Sequence, residues 1–232
     1  MKSPVTFQPL EDELRPVLKY FQGRVLNAGC GSRDITQFLL QNGADSVEHC
    51  DLKTSIPGAI IADLTQIPRQ DDFYDTIICN AVLEHVQFPD EVMEELRRLL
   101  KPSGHLIVNI PFMQPYHPAP DFRRYSREGM LELARIHHFE VVQILPCHTL
   151  AQTITWIWWS HLSEKRKRFQ QALLWVPFYL WGKMSNHTDF ALEQQSNSYQ
   201  MVLRKTPSDG ATTSFQSAAT RSKGVAERHQ SL

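Results

Sequence analysis

The sequence lacks several features that define whole classes of protein. None of its four cysteines forms a CxxC pair, and no cluster of His, Cys and Asp has the spacing of metal ligands. We therefore expect reduced cysteines, a cytoplasmic location and no bound metal. The chain has no run of about 18 or more uninterrupted apolar residues, which argues against a spanning helix. Residues 1–10 also lack the apolar stretch of a signal peptide.

An excess of charge of one sign is missing as well. The 232 residues include 24 Lys and Arg against 25 Asp and Glu, which gives a formal net charge of −1. No overall field draws such a protein towards nucleic acid, so we expect no nucleic-acid partner. The length suits one α/β domain with appendages and a sizeable core.

The middle of the chain alternates short apolar runs with helical patterns. The runs predict strands at 24–28, 46–51, 59–62, 74–79, 105–110 and 139–145. The helical patterns lie at 33–41, 89–100 and 127–137. This alternation predicts an α/β fold with a mostly parallel sheet and helices on both faces. Ligands of such sheets bind at the carboxyl ends of the strands.

The composition divides the chain into three regions. Residues 1–23 form an N-terminal helical lead-in, and 24–205 form the main domain with an aromatic helical insertion at about 148–196. Residues 198–204 have the pattern of one last strand. Residues 206–232 are rich in Ser, Thr, Ala and charge, so we expect a disordered tail.

The most informative stretch predicts a nucleotide-binding corner. Val25 and Leu26 end an apolar strand, Gly29 and Gly31 form a tight turn, and a helical pattern follows. Glycines let the backbone approach a ligand, and a helix start offers unpaired N–H groups. A dinucleotide site would have a third glycine where Asp34 stands, which disfavours a pyrophosphate at this turn.

Two aspartates follow the next two predicted strands. Asp51 lies some twenty residues after the glycines, where a carboxylate can accept hydrogen bonds from both hydroxyls of a ribose. Asp63 lies where a carboxylate could reach an adenine amino group. Each aspartate alone could instead be a cap or turn residue. Both stand at strand ends downstream of the glycine turn, which favours contact with a ligand.

Two blocks of sequence carry a family resemblance. The first joins Val25–Gly31 to Asp51, Asp63 and Tyr74–Val86, and the second is Leu96–Val108. They resemble the class I S-adenosylmethionine-dependent methyltransferases, specifically the type 11 group, over roughly residues 24–145 and 198–204. The resemblance implies a Rossmann-like methyltransferase fold: a mostly parallel seven-stranded sheet with an antiparallel last strand. It also implies S-adenosylmethionine as the cofactor.

The resemblance assigns cofactor contacts to residues that follow the strands. These are Asn27, Ala28, Gly29, Cys30, Gly31, Asp51, Leu52, Asp63, Leu64, Asn80, Ala81, Leu83, Glu84 and His85. The glycine turn would pass beneath the methionine part, and Asp51 would hold the ribose. Two departures weaken the expected affinity. Asn27 replaces the family's usual carboxylate and brings no charge, and Arg33 replaces a small residue.

The loop after the fifth predicted strand carries the candidate catalytic residues. Methyl transfer is an in-line displacement, and a base is needed only if the acceptor must lose a proton. His117 is the first candidate for that base, with Asp121 and Tyr125 beside it. The alternative is that Asp121 pairs with Arg124 to fix the loop.

The aromatic insertion admits several interpretations. All five tryptophans lie between Trp156 and Trp181, and four consecutive basic residues follow Glu164. The segment could pack as two helices against the sheet edge, form a lid over an apolar acceptor, or form a dimer contact. It could also make a peripheral membrane contact through 150–181, because tryptophans beside basic residues suit a membrane interface. The oligomeric state stays open.

These observations favour an enzyme, a methyltransferase of class EC 2.1.1.- that acts on a small-molecule or lipid-like acceptor. Two alternatives remain. A non-catalytic binding or scaffold protein of the same fold would explain Asn27 and Arg33. An NAD-type oxidoreductase is disfavoured by the missing third glycine and by the candidate antiparallel strand.

Overall fold

The structure is a computed structural model that describes residues 9–116, 120–148, 150–161, 173, 176–177, 180 and 195–206. Its strands are β1 (Gly23–Ala28), β2 (Ala44–Asp51), β3 (Ile60–Ile61), β4 (Tyr74–Asn80), β5 (Leu100–Pro111), β6 (Phe139–Cys147) and β7 (Ser198–Lys205). Its α-helices are α1 (Leu10–Leu14), α2 (Thr36–Gln41), α3 (Pro89–Leu99), α4 (Arg127–Ile136) and α5 (Leu150–His161). A 3-10 helix at Arg15–Tyr20 follows α1.

The strands form one seven-stranded sheet in the order β3-β2-β1-β4-β5-β7-β6. The pairs among β1 to β5 are parallel. Strand β7 lies between β5 and β6 and runs antiparallel to both. The predicted fold class is therefore confirmed, including the antiparallel last strand.

Helices cover both faces of the sheet because successive strand residues point to opposite sides. In β1, Leu26 joins the hydrophobic cluster that holds the buried residues of α3 and α4. Its neighbour Val25 joins a second cluster, which holds the buried residues of α1 and α2. Most of the core residues are fully buried.

Local sequence explains where the longer helices begin and end. Pro89 opens α3, acidic residues occupy its first turn, and Arg97 and Arg98 occupy its last, which suits the helix dipole. The Ser126 hydroxyl caps α4 by accepting a hydrogen bond from the Gly129 amide at 3.1 Å.

Several predicted boundaries differ from the structure. Helix α2 begins at Thr36 instead of 33, because Asp34 Oδ1 accepts a bond from the Thr36 amide at 3.0 Å and keeps the preceding residues in a turn. Strand β5 begins at Leu100, well before the predicted 105, with a register shift opposite β4. The predicted strand 59–62 shrinks to the two residues of β3.

Some predictions fall on residues outside this description. They include His117, most of the aromatic insertion beyond α5, and the predicted tail from 207 onwards. The division into lead-in, domain and tail stays a prediction. Within the described residues, every helix is too short or too polar to cross a membrane.

Candidate active site

The glycine turn between β1 and α2 requires glycine for two reasons. Gly29 has φ +72° and Gly31 has φ +55°, a region that side chains disfavour. A Cβ at Gly29 would also lie 2.3 Å from Val82 Cγ2, whereas one at Gly31 would meet nothing within 4 Å. The Gly29 amide donates to the Cys50 carbonyl at 2.8 Å, which ties the turn to β2. The turn is therefore packed on one side and open on the other.

Asp51 ends β2 directly beside this turn. Its Oδ2 accepts a hydrogen bond from the Gly31 amide at 2.8 Å, and its Oδ1 accepts one from the Lys53 amide at 3.1 Å. A carboxylate has about four acceptor positions, so these two bonds leave acceptor capacity for further donors. The structure thus brings together the glycine turn and the acidic strand end that the sequence indicates.

Two apolar side chains are exposed beside Asp51. Leu52 is 67% exposed, and Ile61, which lies opposite Asp51 in the pairing of β2 with β3, is 61% exposed. Leu52 is a predicted contact residue. Ile61 was missed, and its position at the end of a strand was the signal that could have found it. Together they offer an apolar surface next to the carboxylate.

The residues predicted to flank the adenine take different environments. Asp63 is exposed, and its Oδ1 accepts bonds from the amide and the hydroxyl of Thr65, both at 2.9 Å. Its carboxylate therefore closes a local turn with Thr65, as that of Asp51 does with Lys53. Leu64 is buried in the core cluster. Their contact with a cofactor stays a prediction.

Asn27 lies behind the turn, against β2. It is 2% exposed, and its Nδ2 lies 3.2 Å from His49 Nδ1. An amide nitrogen only donates, so His49 Nδ1 accepts and its Nε2 donates to the Thr36 hydroxyl at 2.8 Å. Burial lowers the pKa of His49, which keeps this chain of bonds uncharged. Asn27 thus links β1 to β2, and Ala28 beside it is fully buried.

The end of β4 brings two more predicted residues to the sheet edge. Ala81 has φ +55°, and its amide donates to the Asn109 carbonyl at 2.9 Å. A non-glycine residue in this region is uncommon and often marks a functional site. Asn80 Oδ1 is buried and has no hydrogen-bond partner among the described residues. This oxygen could accept a bond from a ligand.

The next three predicted residues turn away from the edge. Leu83 and Glu84 are fully buried. The Glu84 carboxyl has no hydrogen-bond partner in the described part of the chain, and its Oε1 lies 3.7 Å from His85 Nε2. Burial raises the pKa of Glu84. His85 Nδ1 donates to the Pro120 carbonyl, which connects this segment to the loop after β5.

That loop is held in place by the pair Asp121 and Arg124. The side chain of Asp121 is 2% exposed, and its Oδ2 accepts a bond from Arg124 Nη2 at 2.7 Å. Arg124 Nη2 also donates to the Pro115 carbonyl at 2.9 Å. This is the alternative arrangement in which the pair fixes the loop. Tyr125 packs against the core cluster. The catalytic roles of His117, Asp121 and Tyr125 stay untested predictions.

A cavity of about 580 Å³ opens at the same edge of the sheet. Its walls come from α1, the residues after the glycine turn, the ends of β4, β5 and β7, and α5. They include Glu13, Arg33, Asn80, Asn109, His148 and Trp156. Asp121 and Tyr125 are not among the lining residues. Its volume is in the usual range for ligand pockets.

Two titratable side chains meet in this cavity, and the sequence analysis missed both. Glu13 Oε1 lies 3.5 Å from His148 Nε2, and the two side chains are 14% and 8% exposed. Burial raises the pKa of Glu13 to about 7, and the opposing effect of Arg33 is smaller. Burial lowers the pKa of His148 to about 4. No local motif marks either residue.

The fold and this edge define a class: an α/β protein in which a glycine turn meets an acidic strand end at the carboxyl edge of the sheet, with an antiparallel seventh strand. Residues 8–196 match a family model described as a methyltransferase domain. The chain therefore belongs to the methyltransferase-domain family, which confirms the resemblance and argues against the NAD-type alternative.

Individual relatives agree with this assignment. A ubiquinone biosynthesis O-methyltransferase of Paraburkholderia phymatum is 32% identical over an alignment 123 positions long, and the match covers 42% of this chain and 51% of that protein. The chain spans about half the length of such relatives. A SAM-dependent methyltransferase from Archaeoglobus fulgidus has a TM-score of 0.57 at 15% identity, over 84% of this chain and 93% of that one. The [4+2]-cyclase SpnF has a TM-score of 0.56 at 18% identity, over 85% and 80%. At such identities these structures bear on the fold alone.

Proposed function

We propose that this protein is an S-adenosylmethionine-dependent methyltransferase acting on a small-molecule acceptor. The observation that carries the proposal is the carboxylate of Asp51, which lies beside the glycine turn with its oxygens 2.8 and 3.1 Å from two backbone amides. Family membership supports the same activity. The bound cofactor would supply a methyl group carried on a positively charged sulfur.

The residues at the sheet edge fit this cofactor. Asp51 would accept hydrogen bonds from the ribose hydroxyls, and the exposed Leu52 and Ile61 would contact the adenine. The open side of the turn at Gly31 would lie beneath the methionine part. The unpaired Asn80 Oδ1 would accept a bond from a cofactor donor.

The acceptor would occupy the 580 Å³ cavity, which adjoins Asn80 and Ala81. Its walls mix amide, charged and aromatic side chains, which suits a small molecule with polar groups. The relative in P. phymatum is named for ubiquinone biosynthesis, so a quinone-like or lipid-like acceptor is consistent with the comparison. Holding the acceptor in line with the methyl group would supply most of the rate acceleration.

A second candidate is a cofactor-binding protein without methyltransferase activity. The observation in its favour is Asn27, whose uncharged amide is bonded to His49. An amide would hold the cofactor's ammonium group more weakly than a carboxylate at this position would. The same fold also occurs in a cyclase, so the fold alone does not fix the chemistry.

Calorimetric titration with S-adenosylmethionine, S-adenosylhomocysteine and NAD separates these proposals. The methyltransferase proposal expects both adenosyl compounds to bind, NAD to give no heat of binding, and methyl transfer to a suitable acceptor. Adenosyl binding without turnover of any acceptor in a broad panel favours the second candidate. If neither adenosyl compound binds, both fail, and the result favours a scaffold protein of the same fold.

Contact with a membrane surface is a further part of the proposal for a lipid-like acceptor. Ile157 and Trp158 on α5 are exposed, and so are Leu173, Val176 and Leu180. Exposed apolar residues that flank four basic residues in the sequence, at 165–168, suit a surface with anionic lipids. Sedimentation with anionic and with neutral vesicles tests it. Binding to neither would confine the acceptor to the aqueous phase.

A further inference from the structure

The cavity that adjoins Asn80 and Ala81 contains two titratable side chains, Glu13 and His148, that the proposed cofactor site does not use. Glu13 comes from α1, and His148 follows the end of β6, so only the folded chain brings them together. Their nearest side-chain atoms, Oε1 and Nε2, lie 3.5 Å apart. Both residues line the cavity. The contact therefore lies where an acceptor would bind.

Each member of the pair is held by its backbone. Helix α1 is anchored by the buried Leu10 and Leu14, and the Glu13 carbonyl accepts a bond from Gln200 Nε2 at 3.1 Å. His148 has φ +64°, a strained conformation for a residue with a side chain. The preceding residue, Cys147, is held by two hydrogen bonds: its amide donates to the Ser196 hydroxyl, and its carbonyl accepts from the Asn197 amide. These constraints fix where both side chains enter the cavity.

The charges around the pair favour a basic carboxylate. Burial raises the pKa of Glu13 to about 7, and Arg33 only partly offsets this. The other titratable groups that line the cavity or interact with Glu13 are Glu11, Asp34, Cys147 and His148. Burial lowers the pKa of His148 to about 4, so its imidazole is neutral at pH 7 and adds no positive charge beside the carboxylate. The described ends of β4, β5, β7 and α5 line the cavity with uncharged residues.

We propose that Glu13 is the general base of the acceptor site, that His148 positions its carboxyl, and that the acceptor is a small molecule with an ionisable hydroxyl group, such as a phenol. The inference rests on the proposed methyltransferase function. A hydroxyl becomes a strong nucleophile when it loses its proton, whereas a free amine already has an available electron pair.

The step balances as follows. The acceptor O–H bond breaks and its proton goes to the Glu13 carboxylate. The acceptor oxygen forms a bond to the methyl carbon, the carbon–sulfur bond breaks, and its electron pair stays on sulfur, which becomes neutral. The neutral carboxyl of Glu13 then releases the proton to solvent. A base with a pKa near the working pH suits this cycle, because it both takes up and releases the proton.

The first experiment measures kcat against pH for methylation of catechol and phenol by the full chain with S-adenosylmethionine. The wild type should show an acid limb centred near pH 7. Glu13→Gln should lose that limb and about 100-fold in kcat, the usual effect of a general base. The control is Asp12→Asn on the same helix, which removes an equal charge from a side chain paired with Arg15 outside the cavity. A limb that persists in Glu13→Gln overturns the role of Glu13.

A second measurement does not depend on turnover. The carboxyl carbons of glutamate are labelled with ¹³C and titrated by NMR in the wild-type protein with S-adenosylhomocysteine. The proposal expects a carboxyl that titrates near pH 7, assigned to Glu13 by its loss in Glu13→Gln. Titration of Glu13 at the ordinary value of 4.5 contradicts the proposal.

The positioning role of His148 needs a readout that general damage would not move. His148→Ala should shift the acid limb of the pH profile, and His148→Gln, which keeps a donor, should restore it. If both variants lower kcat equally at every pH, His148 has only a structural role.

The acceptor class is tested with catechol and phenol against benzylamine, with methylated products measured by mass spectrometry. Methylation of the phenols at their oxygen supports the proposal. Methylation of benzylamine alone, or of none of the three, overturns the hydroxyl acceptor. Calorimetry with S-adenosylmethionine distinguishes failure of this inference from failure of the proposed function. If the cofactor binds but neither phenol is methylated, only this inference is rejected. If the cofactor does not bind, the proposed function is rejected.

Discussion

The two halves of the candidate site are built in different ways. The cofactor half joins the turn after β1 to the end of β2, and its contacts lie within about twenty residues of one another in the chain. The acceptor half joins α1, the end of β6, α5 and β7, so Glu13 and His148, which are far apart in the chain, meet only through tertiary structure. A local motif can encode the first half, whereas the second depends on tertiary structure. The halves should therefore respond separately to substitution.

The largest expected effect is on the glycine turn. Gly29→Ala should destabilise the protein by ~3 kcal/mol, because it adds backbone strain to a contact with Val82 that is too close. Gly31→Ala is the matched control, since it carries a similar φ but meets no neighbour, and should cost ~1 kcal/mol. Urea unfolding measures both. Equal losses would mean that packing against Val82 does not matter.

The next largest effect is on the affinity of the cofactor half for S-adenosylmethionine. Asp51→Ala should weaken S-adenosylmethionine binding at least tenfold, about 1.4 kcal/mol, because it removes the proposed partner of the ribose hydroxyls. Calorimetry gives the affinity. Asp45→Ala on the same strand is the control and should bind normally, because Asp45 stands near the other end of β2. An unchanged affinity in Asp51→Ala would refute the ribose assignment.

A smaller effect, on the pH dependence of stability, is expected at Glu84, which belongs to neither half of the site. Its folded pKa is raised by burial, with His85, Arg124 and Asp121 as the charged groups around it. The group's stability contribution is thus full below its unfolded pKa, near 4.5, and is lost as pH rises through the folded pKa. Glu84→Gln should therefore be more stable than the wild type at pH 8, by ~1 kcal/mol, and equally stable at pH 4.

Urea unfolding at several pH values checks the Glu84 prediction. Glu94→Gln, at an exposed position in the middle of α3, removes a carboxylate outside the core and serves as the control. A Glu84→Gln protein that is less stable than the wild type at pH 8 would mean that the buried carboxylate is stabilised by a partner.

The mildest expected effect is on the acceptor half alone, and it should leave cofactor binding unchanged. Trp156→Ala removes an aromatic wall of the cavity, so KM for the acceptor should rise several-fold while S-adenosylmethionine affinity stays within twofold. Trp158→Ala, on an exposed side chain of the same helix, is the matched control and should change neither value when the acceptor is a water-soluble phenol such as catechol. Loss of cofactor affinity in Trp156→Ala would contradict the division into halves.

This division also explains what could be predicted from the sequence. Alternating strands and helices indicated the sheet, and the placement of Gly29, Gly31 and Asp51 followed from strand ends, because carboxyl ends of parallel strands share one edge. The antiparallel β7 followed from the family resemblance and its apolar pattern. These features depend on local order in the chain.

The rest depends on contacts between distant segments. The sequence could not indicate that Asn27 bonds to His49, since that requires the register of β1 against β2. It left open whether Asp121 pairs with Arg124, which the structure bears out. It gave no signal for Glu13 beside His148, because a glutamate in a leading helix and a histidine after a strand are ordinary surface residues by pattern.

The central claim is that an adenosyl cofactor binds at the carboxyl edge of the sheet, with its sulfur facing the cavity. A crystal structure with S-adenosylhomocysteine tests it most directly. We expect both ribose hydroxyls within hydrogen-bond distance of the Asp51 carboxylate, and the sulfur beside Asn80 and directed towards Glu13. A ligand bound elsewhere, or a crevice filled by Arg33, would contradict it.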